Sequence, residues 1–428
     1  MLGLFMVLPV LMLYGDHYEG ATPALLGLAL GIYGLTQACF QIPLGLFSDV
    51  VGRKPVIVAG LVIFAVGSLV ASMATSIEGL ILGRALQGSG AIASAIMAMV
   101  ADLTSEENRT KAMAAIGASI GLSFSVAMIL GPALAAASGL SGVFFLSVIL
   151  SGAGILIVIF LVPTPKVNAA HRDVATTPAL VLKTIKNMHL LRLNWGIFSL
   201  HCILMASFVS VPTMLEASLG LARDGHWMFY LPVLALAFVV MLPFMLFAEK
   251  KRKIKPVFLA AVGMLVASSG LLVSFSGTAA GVIALVFLFF VAFNLLESIL
   301  PSLVSKISPA GTKGTAMGLY STSQFFGAFI GGAVGGWIFQ AYSLTAVFGF
   351  SASVAAVWLV VAAFMSPPRH LSSVCLQCSD PTTLAKVESV QGVAEVFYSE
   401  EEGLMYLKVD RETLDQETLQ QYTRVLGA

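Results

Sequence analysis

GLFSDVVGRKP, residues 45–55, gathers one acid and two bases between two long apolar runs, Ala24–Phe47 before it and Val56–Ala74 after it. Each run is about 20 residues, the length a helix rising about 1.5 Å per residue needs to cross about 30 Å of hydrocarbon. A short charged turn between two such runs reads as a membrane hairpin. Asp49 and Arg53 stand four apart and share a face if the stretch begins as a helix. Gly52 permits a tight turn and Gly45 a close helix contact. A solvated charge run is the competing reading of the same residues.

The same pattern extends outward over most of the chain. Its 428 residues are 58% hydrophobic and 11% charged, with a mean hydropathy of +0.94. An ordinary soluble domain is about 25% charged, so a single water-soluble globule is excluded. Twelve spans are predicted: Met1–Tyr14, Ala24–Phe47, Val56–Ala74, Gly79–Ala101, Ala112–Ala137, Gly142–Val162, Leu193–Leu219, Trp227–Ala248, Pro256–Phe275, Gly281–Val304, Thr315–Gln340 and Ser343–Met365. The first is short, and the chain is expected to start inside its first helix. A secretory signal is the weaker reading, since Met1–Leu13 has no basic leader and no small-residue cleavage site.

Charge sets the expected orientation. Seventeen of the nineteen Lys and Arg residues before position 373 fall after spans 2, 4, 6, 8, 10 and 12; the opposite connections hold only Arg223, and Arg84 lies inside a span. By the positive-inside rule, both ends of the membrane body face the cytoplasm. Residues 373–428 hold 14 of the 45 charged side chains and carry a net −6, against about +7 for the rest. An acidic soluble tail argues against nucleic-acid binding.

Internal repetition divides the body. FSDVVGRKPVIVAG at 47–60 is echoed by FAEKKRKIKPVFLAAVG at 247–263, Lys111-Ala112-Met113 by Thr315-Ala316-Met317, and Gly131-Pro132 by Gly335-Gly336. Two six-helix halves are implied, residues 1–162 and 193–366, joined by a basic linker at 163–192. Within the linker, PALVLKTIKNMHL is read either as an amphipathic surface helix or as a plain solvated segment.

With these features, residues 1–366 resemble the major facilitator superfamily of secondary transporters, whose loop signature is matched at Gly45, Asp49, Gly52, Arg53 and Lys54. The resemblance implies a latch in which Asp49 holds the N-terminus of helix 11 near Thr315 while Arg53 pairs with Asp102. GRALQGSG at 83–90 resembles a second signature, found in the proton antiporters of the superfamily, through Arg84, Gln87, Gly88 and Gly90. Arg inside a span is costly and a functional candidate by default, with snorkelling to the surface as the alternative. A third signature, in helix 5, is kept at Gly131 and Pro132 but has Ala118, Ala127 and Ala135-Ala136 where Gly is usual.

Few other polar groups lie inside spans. Glu297 has Asn294 and Pro301 about one turn away on either side, and a carboxylate buried in a membrane body suits a proton carrier. In the superfamily helices 1, 4, 7 and 10 line the cavity, which implies that Glu297 and Arg84 face it from opposite halves. His201 is a titratable candidate or a packing residue, and Glu216 a candidate or a solvated lip residue. Gln37 and Gln41 share a face of span 2, with Gln324 as their counterpart on span 11; they contact substrate or hold helices together. No Gly-x-x-x-x-Gly-Lys-Ser/Thr loop occurs, so transport must run on a gradient. No cofactor is expected.

The tail alternates apolar and polar residues in SSVCLQC, GVAEVFYS and GLMYLKVD, with helical spacing in PTTLAKVESV and TLDQETLQQYTRVL. The order βαββα resembles a ferredoxin-like domain lacking its last strand. Cys375 and Cys378 form a C-x-x-C, for which ordinary packing outweighs a soft-metal site, because in a strand the two would point to opposite faces. The whole reads as an all-α polytopic transporter with a small α+β cytoplasmic domain. It is expected to be a monomeric, proton-coupled exporter of small molecules in a bacterial inner membrane, with a regulatory ligand or partner at the tail. Uptake by symport or uniport, and a tail that senses a soft metal, are the alternatives.

Overall fold

Pro9 breaks the first apolar run. Leu2–Met6 (α1) and Leu11–Tyr14 (α2) are separate helices joined by a turn, in which the Val10 and Leu11 N–H groups both donate to the Val7 carbonyl. Proline removes a helical donor and crowds the preceding turn, so the single first span expected from hydropathy is instead two short pieces. The computed structural model describes residues 1–104, 106–164, 186–308, 313–365, 372–377, 384–399, 404–410, 413–422 and 424–425. The expected linker helix at 178–190 falls largely outside them.

Thr22 starts the next helix, α3 (Pro23–Val51): its hydroxyl accepts from the Leu25 N–H at 3.3 Å, and proline follows at the first helical position. Gly52 ends it at φ +106° and leads straight into α4 (Arg53–Met73). The predicted fourth span is two helices, α5 (Ile77–Ser89) and α6 (Ala93–Leu103). The break falls at Gly90, which leaves helical geometry at φ −73° and ψ 26° where a Cβ would stand 2.3 Å from the Gly60 carbonyl oxygen of α4. Next, α7 (Glu106–Leu156) is interrupted at Gly139, with φ 66° and ψ −171°. A Cβ on Gly142 would lie 3.9 Å from the Leu134 side chain, eight residues earlier, so the chain folds back on itself there.

The second segment contains α8 (Met188–Leu219), α9 (His226–Lys250), α10 (Ile254–Phe275), α11 (Ala279–Ile307), α12 (Lys313–Ala341) and α13 (Leu344–Ala363). Helix α8 begins before the predicted Leu193 because Asn187 caps it, accepting from the His189 and Leu190 N–H groups. Among the described residues, nine helical stretches are long and apolar enough to cross a membrane. Their outward faces carry Phe160, Leu161, Phe238, Val239 and Phe244, all at least half exposed. An apolar belt of this extent is a lipid-facing surface.

Helix α12 is the joint between the two segments. A Cβ on Gly27 of α3 would stand 2.5 Å from the Gly332 oxygen, and one on Gly31 2.6 Å from the Phe329 oxygen. On another face, a Cβ on Gly327 or Gly331 would come within 2.1 Å of the Phe198 or Cys202 oxygen of α8. Small residues bring membrane helices to backbone contact in this way. These α3–α12 contacts lie toward the end of the bundle that carries Asp16, Glu216 and Arg223, here called the far end. The opposite, basic end carries Arg53, Lys250 and Lys306, and there Gly117 and Gly121 of α7 have open space beside them.

The tail forms a four-stranded antiparallel sheet from β1 (Ser372–Gln377), β2 (Val393–Ser399), β3 (Leu404–Val409) and β4 (Arg424–Val425), in the order β2-β3-β1-β4. Register runs from Ser372 opposite Val409 to Gln377 opposite Leu404. Two short helices, α14 (Leu384–Glu388) and α15 (Gln416–Tyr422), accompany the sheet. A core is built on Leu376, Val387, Met405, Leu407, Val409 and Leu419. The last strand, expected to be missing, is present as β4, a two-residue pairing with Leu376 and Gln377.

The glycine contacts make a paired prediction. Gly331→Ala should destabilise the body by about 2 kcal/mol through overpacking, whereas Gly263→Ala, with nothing within 4 Å of the added carbon, should not. Thermal unfolding in detergent, followed by size-exclusion chromatography, checks both.

Candidate functional site

At the basic end, the α3–α4 turn places Ser48, Asp49 and Arg53 together. Arg53 Nη1 lies 2.5 Å from Asp49 Oδ1 and donates to Ser48 Oγ at 2.6 Å, while its Nε donates to Asp102 Oδ2 at 3.1 Å. Ser48 also donates to the Gly45 carbonyl at 2.6 Å. A Cβ on Gly45 would stand 2.9 Å from Ser94 Oγ, so that glycine lets α3 and α6 meet. Lys54 follows in the first turn of α4. Asp49 is 43% exposed on its side chain and turned to Arg53. Among the described residues it makes no hydrogen bond to the start of α12, where Thr315 stands. The Arg53–Asp102 contact is therefore present, and the Asp49–Thr315 contact is not.

Deeper in the first segment, Arg84 is fully buried. Its Nε donates to the Ala29 carbonyl at 3.2 Å and its Nη1 to Gln87 Oε1 at 2.7 Å; Gln87 Nε2 in turn donates to Ser68 Oγ at 2.7 Å. The guanidinium lies 5.0 Å from the centroid of the Tyr33 ring, a cation–π distance. Gly88 allows this because a Cβ there would come 2.2 Å from the Tyr33 oxygen. Tyr33 then meets Phe325 of α12 edge-on at 6.4 Å. Arg84 thus sits behind Tyr33 within its own segment, rather than facing Glu297 across a cavity. Gln37 and Gln41 are also buried and bond to each other at 2.9 Å, while the Gln41 carbonyl accepts from Ser94. Their side-chain bond lies within α3, and only the Gln41 main-chain carbonyl reaches another helix, α6.

The second segment is built differently. Gln324 of α12 directs its amide nitrogen at two groups, His201 Nε2 of α8 at 2.8 Å and Glu297 Oε1 of α11 at 3.4 Å. The His201 Nε2 to Glu297 Oε2 distance is 4.0 Å. With Gln324 donating to Nε2, the imidazole hydrogen is assigned to Nδ1. Glu297 Oε2 and His201 Nδ1 are buried without partners, as are Tyr320 Oη, Thr322 Oγ1 and Asn194 Oδ1. Asn294 is half-buried one turn before Glu297. Buried polar atoms left unpaired cost free energy, and several in one region mark a place where a ligand or water completes the set.

Other candidates separate from this cluster. Gly131 lies where α7 meets α1, a Cβ there standing 2.5 Å from the Met6 oxygen, and Pro132 follows inside α7. Glu216 is paired with Arg223 at the far end. Cys375 stands in β1 opposite Tyr406, while Cys378 lies outside the described residues. Ser68, Tyr33, Tyr320 and Thr322 carry no sequence signal, since hydroxyls and aromatics in spans are ordinary there, and Asn194 carries none because it stands at the edge of its predicted span. Lys408 of β3 is likewise an addition: it is buried, and its Nζ donates to the Ser305 and Lys306 carbonyls at the end of α11.

Comparison with known proteins agrees with this architecture. The family description "Major Facilitator Superfamily" matches residues 1–332 and 294–376. The inner membrane transport protein YajR of Escherichia coli is 47% identical over 431 residues, covering 99% of this chain and 94% of that protein. The multidrug resistance protein MdtH of Aeromonas salmonicida is 26% identical over 347 residues, covering 78% of this chain and 83% of its own. Among solved structures, a bacterial homologue of the human lysosomal transporter Spinster, inward-facing and occupied, has a TM-score of 0.66 at 12% identity. It covers 85% of this chain and 92% of its own, a likeness of fold. The chain belongs to the major facilitator superfamily and is a membrane transporter.

The Arg84 network yields a stability prediction. Gln87→Leu strands Arg84 Nη1, while Ser68 Oγ keeps its bond to the Phe64 carbonyl, and should cost about 1–3 kcal/mol; equal melting of variant and parent in detergent would contradict it.

Proposed function

We propose, from its membership of the major facilitator superfamily, that the chain is a proton-coupled exporter of small molecules in a bacterial inner membrane, working by alternating access. The observation that carries this reading is the Glu297–Gln324–His201 cluster. It holds a carboxylate and an imidazole within 4.0 Å of each other on α11 and α8. One oxygen of the carboxylate has no partner, although the side chain as a whole is 38% exposed. A proton or a substrate donor arriving there satisfies the free oxygen, and only one of them occupies it at a time. That exclusion is the physical basis of exchange.

Alternating access follows from the two ends. Residues 1–162 and 193–366 form the two six-helix halves, and the far end is packed shut along α3 and α12. The basic end carries the charges that face the cytoplasm by the positive-inside rule, and the open space beside Gly117 and Gly121 there supports reading it as the open side. When it closes, Asp49 turns from Arg53 to the N-terminus of α12 near Thr315, where a carboxylate is favoured by roughly 0.3–1 kcal/mol. An interaction of that size suits a latch that must open again. Arg53 stays tied to Asp102, so the turn keeps its shape throughout.

The tail is a ferredoxin-like domain on the cytoplasmic side. Its Lys408 reaches the last carbonyls of α11, the helix that carries Glu297, so a ligand or protein bound to the sheet acts on the transport site through that helix end. A cation at a helix C-terminus also complements the dipole. The names of the relatives, an inner membrane transport protein and a multidrug resistance protein, support the membrane and the outward direction.

Growth of an overproducing strain across a panel of toxic compounds identifies a substrate, and flux of that compound into inverted vesicles tests the coupling. Wild-type uptake should follow an imposed proton gradient, and Glu297→Gln should remove that dependence; coupling that persists in the variant rules Glu297 out as the carrier. Asp49→Asn should insert normally yet shift the balance of states by about fivefold, the equivalent of about 1 kcal/mol, with wild-type flux counting against the latch.

A further inference from the structure

Arg223 is the only Lys or Arg in the connections at the far end, and its contacts reach both segments. It lies in the turn between α8 and α9, and its Nε donates to Glu216 Oε1 in the last turn of α8 at 2.8 Å. Its Nη1 donates to the Leu13 carbonyl of α2 and lies 3.9 Å from Asp16 Oδ1. The guanidinium carbon stands 5.6 Å from the centroid of the Tyr14 ring. One planar group therefore bonds its own segment through Nε and the other segment through a carbonyl, a carboxylate and an aromatic face. Nearby, the Ala24 N–H donates to Gln340 Oε1 at 3.1 Å, a second bond between the segments at that end.

We propose that Arg223 is the outer latch of the transporter, holding the far end shut through Leu13, Tyr14 and Asp16 and releasing them when that end opens. The proposal rests on the alternating-access reading above. Its physical basis is the division of partners. Glu216 belongs to the same segment as Arg223 and travels with it, so the guanidinium keeps a carboxylate in both states. Opening then breaks only the contacts to α2 and the turn after it, without leaving a bare buried charge. A buried pair broken by losing its one partner would cost several kcal/mol; a half-exposed guanidinium with a permanent partner does not. Arg suits this place better than Lys because its fork serves two directions at once.

The test is distance measurement by electron spin resonance on the full-length protein in lipid. Labels are placed at Thr75→Cys and Gly277→Cys, two exposed far-end turns on opposite segments, with the four native cysteines changed to serine. Arg223→Gln should raise the open-to-closed ratio at the far end about tenfold. The charge exchange D16R/R223D, which lets the new arginine at 16 meet carboxylates at 223 and 216, should bring the ratio back to within about twofold of the parent. An unchanged distribution in Arg223→Gln overturns the latch, and so does an exchange variant that stays as open as the single one. The measurement needs no transported compound. Flux that ignores the proton gradient would defeat the exporter reading while leaving this result standing.

Discussion

Two helices approach only as closely as their side chains permit, and α12 places glycines at the crossing points on two of its faces. Gly327 and Gly331 bring it to the backbone of α8, while Gly332 and Gly336 bring it to α3. In lipid there is no hydrophobic drive to pack one apolar helix on another, so backbone contact and hydrogen bonding must supply the association. The α8 contact is what lets Gln324 reach His201 at 2.8 Å. The α3 contact carries that same helix to the other segment. A displacement of the seam is therefore felt at the polar cluster without any intervening loop.

The polar accounts of the two segments differ, and the difference assigns them different work. In the first segment Arg84, Gln87 and Ser68 form a closed chain, and Gln37 and Gln41 satisfy each other. Among the described residues of that segment, only Arg84 Nη2 is left over. Such a network resists rearrangement, because each broken bond strands a partner in a low-dielectric interior. Among the described residues the second segment leaves ten such atoms open, five of them on Asn194, His201, Glu297, Tyr320 and Thr322. Incomplete polar sets are tolerated where an exchangeable partner visits. On the exporter reading proposed above, the more completely paired segment is the reference against which the other would bind and release.

Much of this architecture was legible in the residues. The apolar runs gave the spans, the charged turn at 45–55 gave the hairpin, and Glu297 stood out because acids within spans are so rare. Breaks were harder to read, since Pro9, Gly90 and Gly139 interrupt runs whose hydropathy does not change, and glycine and proline are common enough in membrane helices to be discounted. The pairing of His201 with Gln324 spans 123 positions and leaves no periodicity to detect. Tyr33 was invisible for another reason: an aromatic inside a span looks like lipid-facing bulk until the cation beneath it is located. In the tail, Thr423-Arg424-Val425 continues the helical spacing of its predecessors, and only pairing with β1 makes strand of Arg424 and Val425.

The repeat is recorded in the backbone as well as in residue types. Gly52 closes the turn after α3 at φ +106°, and Arg252, two hundred positions later, closes the turn after α9 at φ +55°. Arg252 is the only non-glycine residue with positive φ among those described. A left-handed arginine costs roughly 1–2 kcal/mol relative to the right-handed form, and the second turn, Lys251–Lys253, is two residues longer than the first. Asp49 and Glu249 precede the two turns at equivalent places, and Arg53 and Lys253 follow them. What the second turn lacks is glycine, and what it gains is a run of bases from Lys250 to Lys253. The first turn is thus the shorter and less basic of the two, and the one whose following arginine is tied to Asp102.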